Sequence, residues 1–238
     1  GAGLSLAEVV PVAEQMGRRM MASPFVASAL AAQALMACGT GAQKAAWLPK
    51  IAEGTPASLA LFEPHGDWDL CNLTALAERD GDQIRLSGQK QFVQWADAAQ
   101  CIIASVLWDQ RPAMVLIPRD QIPNGALRRE AIIDETKRSA ALTLDGITLP
   151  LCAMLDADKA PAALALIEMA AILLQSAEMC GGAQQVIDYT TGYLQSRKQF
   201  GNVIGGYQAL KHPTVNAYIE YEKARSLLYS AAYNFADQ

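Results

Sequence analysis

The sequence predicts an α+β fold in three parts: N-terminal helices, a middle β barrel or sandwich, and a C-terminal bundle of long helices. Three observations carry this. Apolar residues recur at helical spacing up to about Gly54, and short apolar runs then alternate with turn signals. From Ala160 the strong helix formers Ala, Leu, Met, Glu and Gln return, with no proline after Pro161 until the chain turns. The implied parts are residues 1–56, 57–158 and 159–238.

The first helix is announced by Ser5 and Glu8, the spacing of a capping box. Val9, Val10, Ala13, Met16, Gly17 and Met20 follow on one helical face. Pro24 suits the first turn of a second helix, which runs out at Cys38-Gly39. Thr40 and Gln43 repeat the box and open a third helix carrying Trp47 and Leu48, stopped by Gly54.

The strands come next. Leu59 to Phe62 is short and apolar, and Leu73 to Arg79 is joined by the turn Asp80-Gly81-Asp82 to Gln83 to Leu86. An apolar–turn–apolar order around a DG step is a hairpin signal. Lys90 to Trp95, Cys101 to Leu107, Ala113 to Ile117 and Ala141 to Leu144 continue the series. Six or seven short strands make one compact β domain.

The fourth helix runs from Ala160 to about Phe200, and its Gly181-Gly182 pair is fitted to close approach of a neighbouring helix. A loop, Gly201 to Gly206, leads to a last helix from Tyr207. Two long helices on a short connection should pack antiparallel. The first pattern starts almost at residue 1 and the last stops mid-pattern at Gln238, so both ends read as cut.

With 52% hydrophobic and 18% charged residues the chain is globular, and its net charge of −5 argues against nucleic acid as a partner. The apolar run near 161–174 is interrupted by Glu168, which argues against a membrane span. Five scattered cysteines without a CxxC, beside only two histidines, read as reduced thiols of a cytoplasmic protein and not as a metal site.

The segment Tyr193-Leu194-Gln195-Ser196-Arg197-Lys198-Gln199-Phe200-Gly201, followed by Ile204-Gly205 and Tyr207-Gln208-Ala209-Leu210-Lys211-His212, resembles a signature of acyl-CoA dehydrogenases. Glu222-Lys223-Ala224-Arg225-Ser226 is similar to the family's next helix. Phe62-Glu63-Pro64, Gly88-Gln89-Lys90 and Ala96-Asp97-Ala98-Ala99 resemble its middle β domain. The resemblance covers nearly the whole chain. It implies an FAD-dependent subunit that desaturates an acyl-CoA thioester at its α,β bond, in fatty acid or steroid catabolism. It also implies an electron-transfer flavoprotein as electron acceptor and a homo- or hetero-oligomer of related subunits.

The resemblance makes Arg197, Phe200 and Gln208 contacts to an FAD held mainly by a neighbouring subunit. Arg197 is expected in the last turn of a helix, where its fork geometry matches a pyrophosphate. The helix start near Tyr207 and Gln208 offers free N–H groups. On spacing alone, the favoured reading is Arg197 as an ordinary helix cap and Phe200 as the closure of a turn; the resemblance turns it to cofactor contact.

At the flavin ring the chain departs from the family pattern. Phe62 stands where the family has a threonine and Trp68 where it has a serine. Phe92 falls at a position often tryptophan, and Gln94 at one often threonine. A ring in place of a hydroxyl cannot make the same bond. This departure resembles the small subunits of heteromeric dehydrogenases, of pimeloyl-CoA or steroid side-chain type, and implies an alternative role as a non-catalytic partner that completes a neighbour's FAD site.

The reaction needs a carboxylate to remove the α-proton. One family position for it falls at Ala171, which cannot act; Glu168, a turn earlier, is a speculative substitute, with a solvated helix charge as its plainer reading. Glu178 is the other candidate, better read as packing between helices, and Glu63 is read as ordering its turn. His65 is expected to line that turn and His212 to pair within the helix hairpin. An unrelated helical binding protein would require the strand-rich middle to be wrong.

Overall fold

The computed structural model describes residues 5–134 and 136–236. Contacts gather the chain into two compact units, Ser23–Met169 on one side and Gly1–Ala22 with Ala170–Gln238 on the other. The first helix shares its unit with residues 170–238.

In chain order the helices are α1 (Val10–Arg18), α2 (Phe25–Cys38), α3 (Gly41–Ala52), α4 (Ala160–Ser196) and α5 (Gln208–Ala236). The strands are β1 (Ala57–Ala60), β2 (Leu76–Asp80), β3 (Gln83–Ser87), β4 (Gln89–Gln94), β5 (Cys101–Trp108), β6 (Arg111–Pro118), β7 (Leu127–Arg129), β8 (Ser139–Thr143), β9 (Thr148–Pro150), β10 (Lys198–Gln199) and β11 (Asn202–Val203). Both capping boxes form. Ser5 caps a short 3-10 turn ahead of α1, and Thr40 accepts from Gln43 N–H at 3.2 Å while Gln43 accepts from Thr40 N–H at 2.9 Å.

The unit Ser23–Met169 is built on a six-stranded sheet, β1-β5-β2-β3-β9 with β6 on β5, and a three-stranded sheet, β4-β8-β7. The sheets share one core, filled by Ile84 and Leu86 of β3, Val93 of β4 and Leu142 of β8 among others. Strands β5 and β6 are covered on both faces, which is why they read as continuous apolar runs. Ile102, Ala104 and Val106 point into the β core, while Cys101 and Ile103 pack with Leu35 of α2 and Leu164 and Ile167 of α4. This packing accounts for the apolar start of α4. By length and composition that helix could cross a membrane, and 44% of its most apolar window is buried inside the protein.

In the other unit, α1 meets α4 through glycines. A Cβ on Gly17 would stand 1.9 Å from the Glu178 carbonyl oxygen, and one on Gly181 would stand 1.8 Å from that of Glu14. The expected close approach at Gly181 is therefore real, and no side chain fits there. Glu14, 2% exposed, accepts from Arg225 Nε and from the Tyr229 hydroxyl, both at 2.6 Å, which ties α1 to α5.

Several elements differ from expectation. The first helix stops at Arg18, and Met20 takes a left-handed φ of 49°. β2 begins only at Leu76, since Leu73 is a buried loop residue. The three-residue strands β7 and β9 are additions, too short to show alternation. The loop after α4 holds a small antiparallel hairpin, β10–β11. His212 is exposed and has no partner among the described residues. Three cysteines are buried and two, Cys71 and Cys152, are exposed, all of them free. Burial pushes the Cys38 thiol up to about 11 and that of Cys101 to about 12, so both are inert.

Candidate functional site

The middle unit presents one group of candidate residues along β4 and the segment after β1. The register of β4 against β8 shifts between Lys90 and Val93, which is a β-bulge. Phe92 sits in it with a φ of 55°, its ring 52% exposed, and its N–H donates to Glu130 Oε2 at 3.0 Å. The same carboxylate oxygen accepts from Ser139 Oγ at 2.7 Å, so Glu130 holds the bulge in place. Phe62 bridges Gln91 across the gap, and Gln91 N–H donates to the Phe62 carbonyl at 2.9 Å. The Gln94 side chain is exposed while its carbonyl accepts from Ser58 Oγ at 2.5 Å. Trp95 is a core residue, under the Arg138 guanidinium at 5.5 Å.

Beneath this edge lies a buried ion pair. Glu63, 2% exposed, and Lys90, fully buried, meet at 2.7 Å. Lys90 Nζ also donates to Ser105 Oγ at 3.0 Å. Glu63 further accepts from the N–H groups of Thr74 at 2.8 Å and Ala75 at 3.1 Å, and from the Thr74 hydroxyl. His65 Nε2 stands 3.3 Å from it, lining the turn. Burial pushes the Glu63 carboxyl up, but the bonds from Lys90 and Thr74 outweigh that and hold it down at about 2. Burial pushes Lys90 down to about 8, with the Glu63 carboxylate resisting.

The second group lies where α4 passes into α5. Helix α4 ends at Ser196, so Arg197 stands one residue beyond the last turn expected for it, although its N–H still donates to the Tyr193 carbonyl at 2.9 Å. Its side chain is exposed and makes no ion pair among the described residues. Gln199 pairs with Asn202, leaving Phe200-Gly201 as a two-residue tip with φ values of 52° and 78°. Phe200 is 89% exposed, edge-on to Tyr207 with ring centroids 6.5 Å apart. Gln208, also exposed, is the first residue of α5, and its N–H and that of Ala209 have no acceptor among the described residues.

Taken separately, the α4–α5 connection fits part of a dinucleotide such as FAD, and the edge beside β4 does not. The unpaired Arg197 guanidinium and the open N–H groups of α5 fit a diphosphate. In the unit Ser23–Met169, Phe62 and Trp68 pack edge to face at 5.4 Å, and the nearby hydroxyls of Thr74 and Ser58 are already bonded. Among the described residues, neither of these hydroxyls is left free to donate to a ligand.

Two family models find their match in this chain. One, described as acyl-CoA dehydrogenase, C-terminal domain, covers residues 165–238, and the other, acyl-CoA dehydrogenase, N-terminal domain, covers residues 1–55. The chain belongs to the acyl-CoA dehydrogenase family. It is 28% identical over 250 residues to the acyl-CoA dehydrogenase FadE12 of Mycobacterium tuberculosis, a match that spans 98% of this chain and 62% of that protein. The chain thus spans about 62% of the length of these curated relatives. Among solved structures, the Tcur3481–Tcur3483 steroid ACAD, a variant form, is 30% identical with a TM-score of 0.83, over 97% of this chain and 61% of that one. A glutaryl-coenzyme A dehydrogenase in complex with glutaryl-CoA shares the fold at a TM-score of 0.89 and 23% identity, over 98% of this chain and 62% of that one.

Within this acyl-CoA dehydrogenase fold, Glu168 lies on the exposed side of α4 and makes no hydrogen bond or ion pair among the described residues. Its charge is felt by the Cys71 thiol, which burial first, then Asp69 and Glu168, raise. Ala171 is partly buried one turn on, and the Glu178 carbonyl is the crossing point with Gly17. Sequence reasoning missed Glu130 and the bulge it holds. A lone glutamate on a loop gives no spacing signal; only the register of β4 against β8 brings it to Phe92.

Proposed function

We propose that this chain is part of a subunit of an FAD-dependent acyl-CoA dehydrogenase that desaturates an acyl-CoA thioester between its α and β carbons. The observation that carries this is the α4–α5 connection, where an unpaired guanidinium, an exposed ring and open helix N–H groups lie within twelve residues. Arg197 and the first turn of α5 hold the diphosphate, Phe200 covers the adenine face and Gln208 bonds beside it. FAD, when bound, supplies the acceptor for the hydride that leaves the β-carbon. Glu168 is the carboxylate of this chain proposed to receive the α-proton. Acyl-CoA is the substrate, an electron-transfer flavoprotein the acceptor, and the cytoplasm the location.

A second reading is favoured by one observation, the aromatic pair Phe62 and Trp68 in place of hydroxyl donors. It makes the chain a non-catalytic partner in a heteromer, lending Arg197, Phe200 and Gln208 to a dinucleotide held mainly by another polypeptide, with Phe92 and Gln94 bordering an altered ring site of its own. The steroid ACAD relative, whose name joins two gene products, supports this arrangement. The test is flavin absorbance of the full-length subunit purified alone and after co-expression with its partner. Flavin only on co-expression supports the partner reading; full occupancy in the lone subunit, with dye-coupled oxidation of an acyl-CoA, overturns it in favour of the first.

A further inference from the structure

The excursion of the chain from Phe62 to Ala75 is closed at its neck by a single side chain. Glu63, on one arm, takes the N–H groups of Thr74 and Ala75 and the Thr74 hydroxyl on the other, and Lys90 on β4. Inside the loop the polar groups bond one another. Gly66 N–H donates to the Glu63 carbonyl at 3.0 Å, and Asp67 N–H to His65 Nδ1 at 3.2 Å. Asp69 N–H donates to Asp67 Oδ1 at 3.0 Å, Cys71 N–H to Asp69 Oδ1 at 2.8 Å, and Asn72 Nδ2 to Asp67 Oδ2 at 2.6 Å.

Burial does not hold Trp68, which is 78% exposed and touches Phe62 edge-on. Bonds at the exposed tip compete with water and are individually weak, whereas those at the buried neck do not. The competing anchors are apolar: Leu70 and Leu73, each 7% exposed.

We propose that Glu63 is a positioning residue whose carboxylate staples the neck of this loop and so sets where Phe62 and Trp68 stand beside the altered ring site. This rests on the reading that the Phe62–Trp68 edge borders the altered flavin site. Their placement is then preset by a charge that touches neither ring.

The experiment uses the full chain and two double variants in which the buried lysine is never left without its partner. Glu63→Leu with Lys90→Met removes every acceptor at the neck. Glu63→Gln with Lys90→Met keeps one carbonyl oxygen. Hydrogen exchange is read at the Thr74 and Ala75 amides, and acrylamide quenching at Trp68, with a Trp68→Phe background subtracting the other tryptophans. The expected result for the Leu–Met variant is exchange about tenfold faster at both amides and increased quenching, with Ile103 and Val115 in β5 and β6 unchanged. The Gln–Met variant should fall between it and the parent. Exchange within about twofold of the parent at Thr74 and Ala75 would overturn the proposal and assign the loop to Leu70 and Leu73. Equal acceleration in β5 and β6 would overturn it too, as general loosening. Flavin bound by the lone subunit defeats the functional reading while leaving this exchange result standing.

Discussion

The α4–α5 connection and the Phe62–Ala75 loop both carry an aromatic ring into solvent, but they hold it by opposite means. Phe200 is aimed by backbone, at the two-residue tip of a hairpin whose only side-chain support among the described residues is Tyr207, beside a guanidinium and helix N–H groups without partners among the described residues. Trp68 is aimed by side chains, in a loop where Glu63, Asp67 and Asp69 are all engaged with their neighbours. The first region keeps its polar capacity for something outside the chain. The second uses its carboxylates for bonds within the loop and to Lys90. Family membership is therefore expressed unevenly, and the half of the signature that handles charge is the half that stays open.

Four measurements break or sharpen that contrast. The largest effect is expected from Glu63→Ala, which strands the fully buried Lys90 ammonium and should cost about 3–5 kcal/mol in urea unfolding. A loss under about 1 kcal/mol would mean that the pair is not buried in solution.

The second is the pH dependence of the same group. A carboxyl held at about 2 when folded, against 4.5 as the ordinary value, contributes stability that is fully present above 4.5 and lost as pH falls through 2. The contribution is about 3 kcal/mol. The difference in urea midpoint between the parent and the Glu63→Gln, Lys90→Met variant should shrink over that window, and a constant difference would refute the ionised staple.

The third is Arg197→Ala, at an exposed position whose side chain has no partner among the described residues. Stability should change by less than about 0.5 kcal/mol, while flavin retention by the assembled complex should fall about 10- to 100-fold, as loss of a charge-assisted bond implies. Unchanged retention would remove Arg197 from the cofactor site.

The smallest effect is Phe200→Gly. It relieves a left-handed non-glycine residue and should raise stability by about 1 kcal/mol in thermal melts, at the expense of flavin retention. A variant that gains stability and loses no flavin would reduce Phe200 to the closure of a turn.

Much of the fold was legible because its signals are local. Ser5 with Glu8 and Thr40 with Gln43 satisfy the first N–H groups of their own helices, and the Asp80-Gly81-Asp82 turn joins β2 to β3, so three or four residues suffice to reveal each. The Gly181 contact was legible in kind, since glycine in a helix has few other uses, but the helix it meets lies more than 160 residues away, and Gly17, which meets Glu178 at the same crossing, was read only as a member of the α1 face. Arg197 was placed within one residue, the error coming from a helix end that frays into a hairpin.

What the sequence determined by itself is the order of elements and the charge of the α4–α5 connection, because each follows from which residue stands next to which; that Phe62 and Trp68 replace hydroxyls comes from the resemblance to the family. What only the tertiary structure decided is the pairing of Glu63 with Lys90, the bulge that Glu130 holds under Phe92, and the union of α1 with the last two helices. Those depend on strand register and helix crossing, which are set by burial summed over distant segments and leave no mark at the residues themselves.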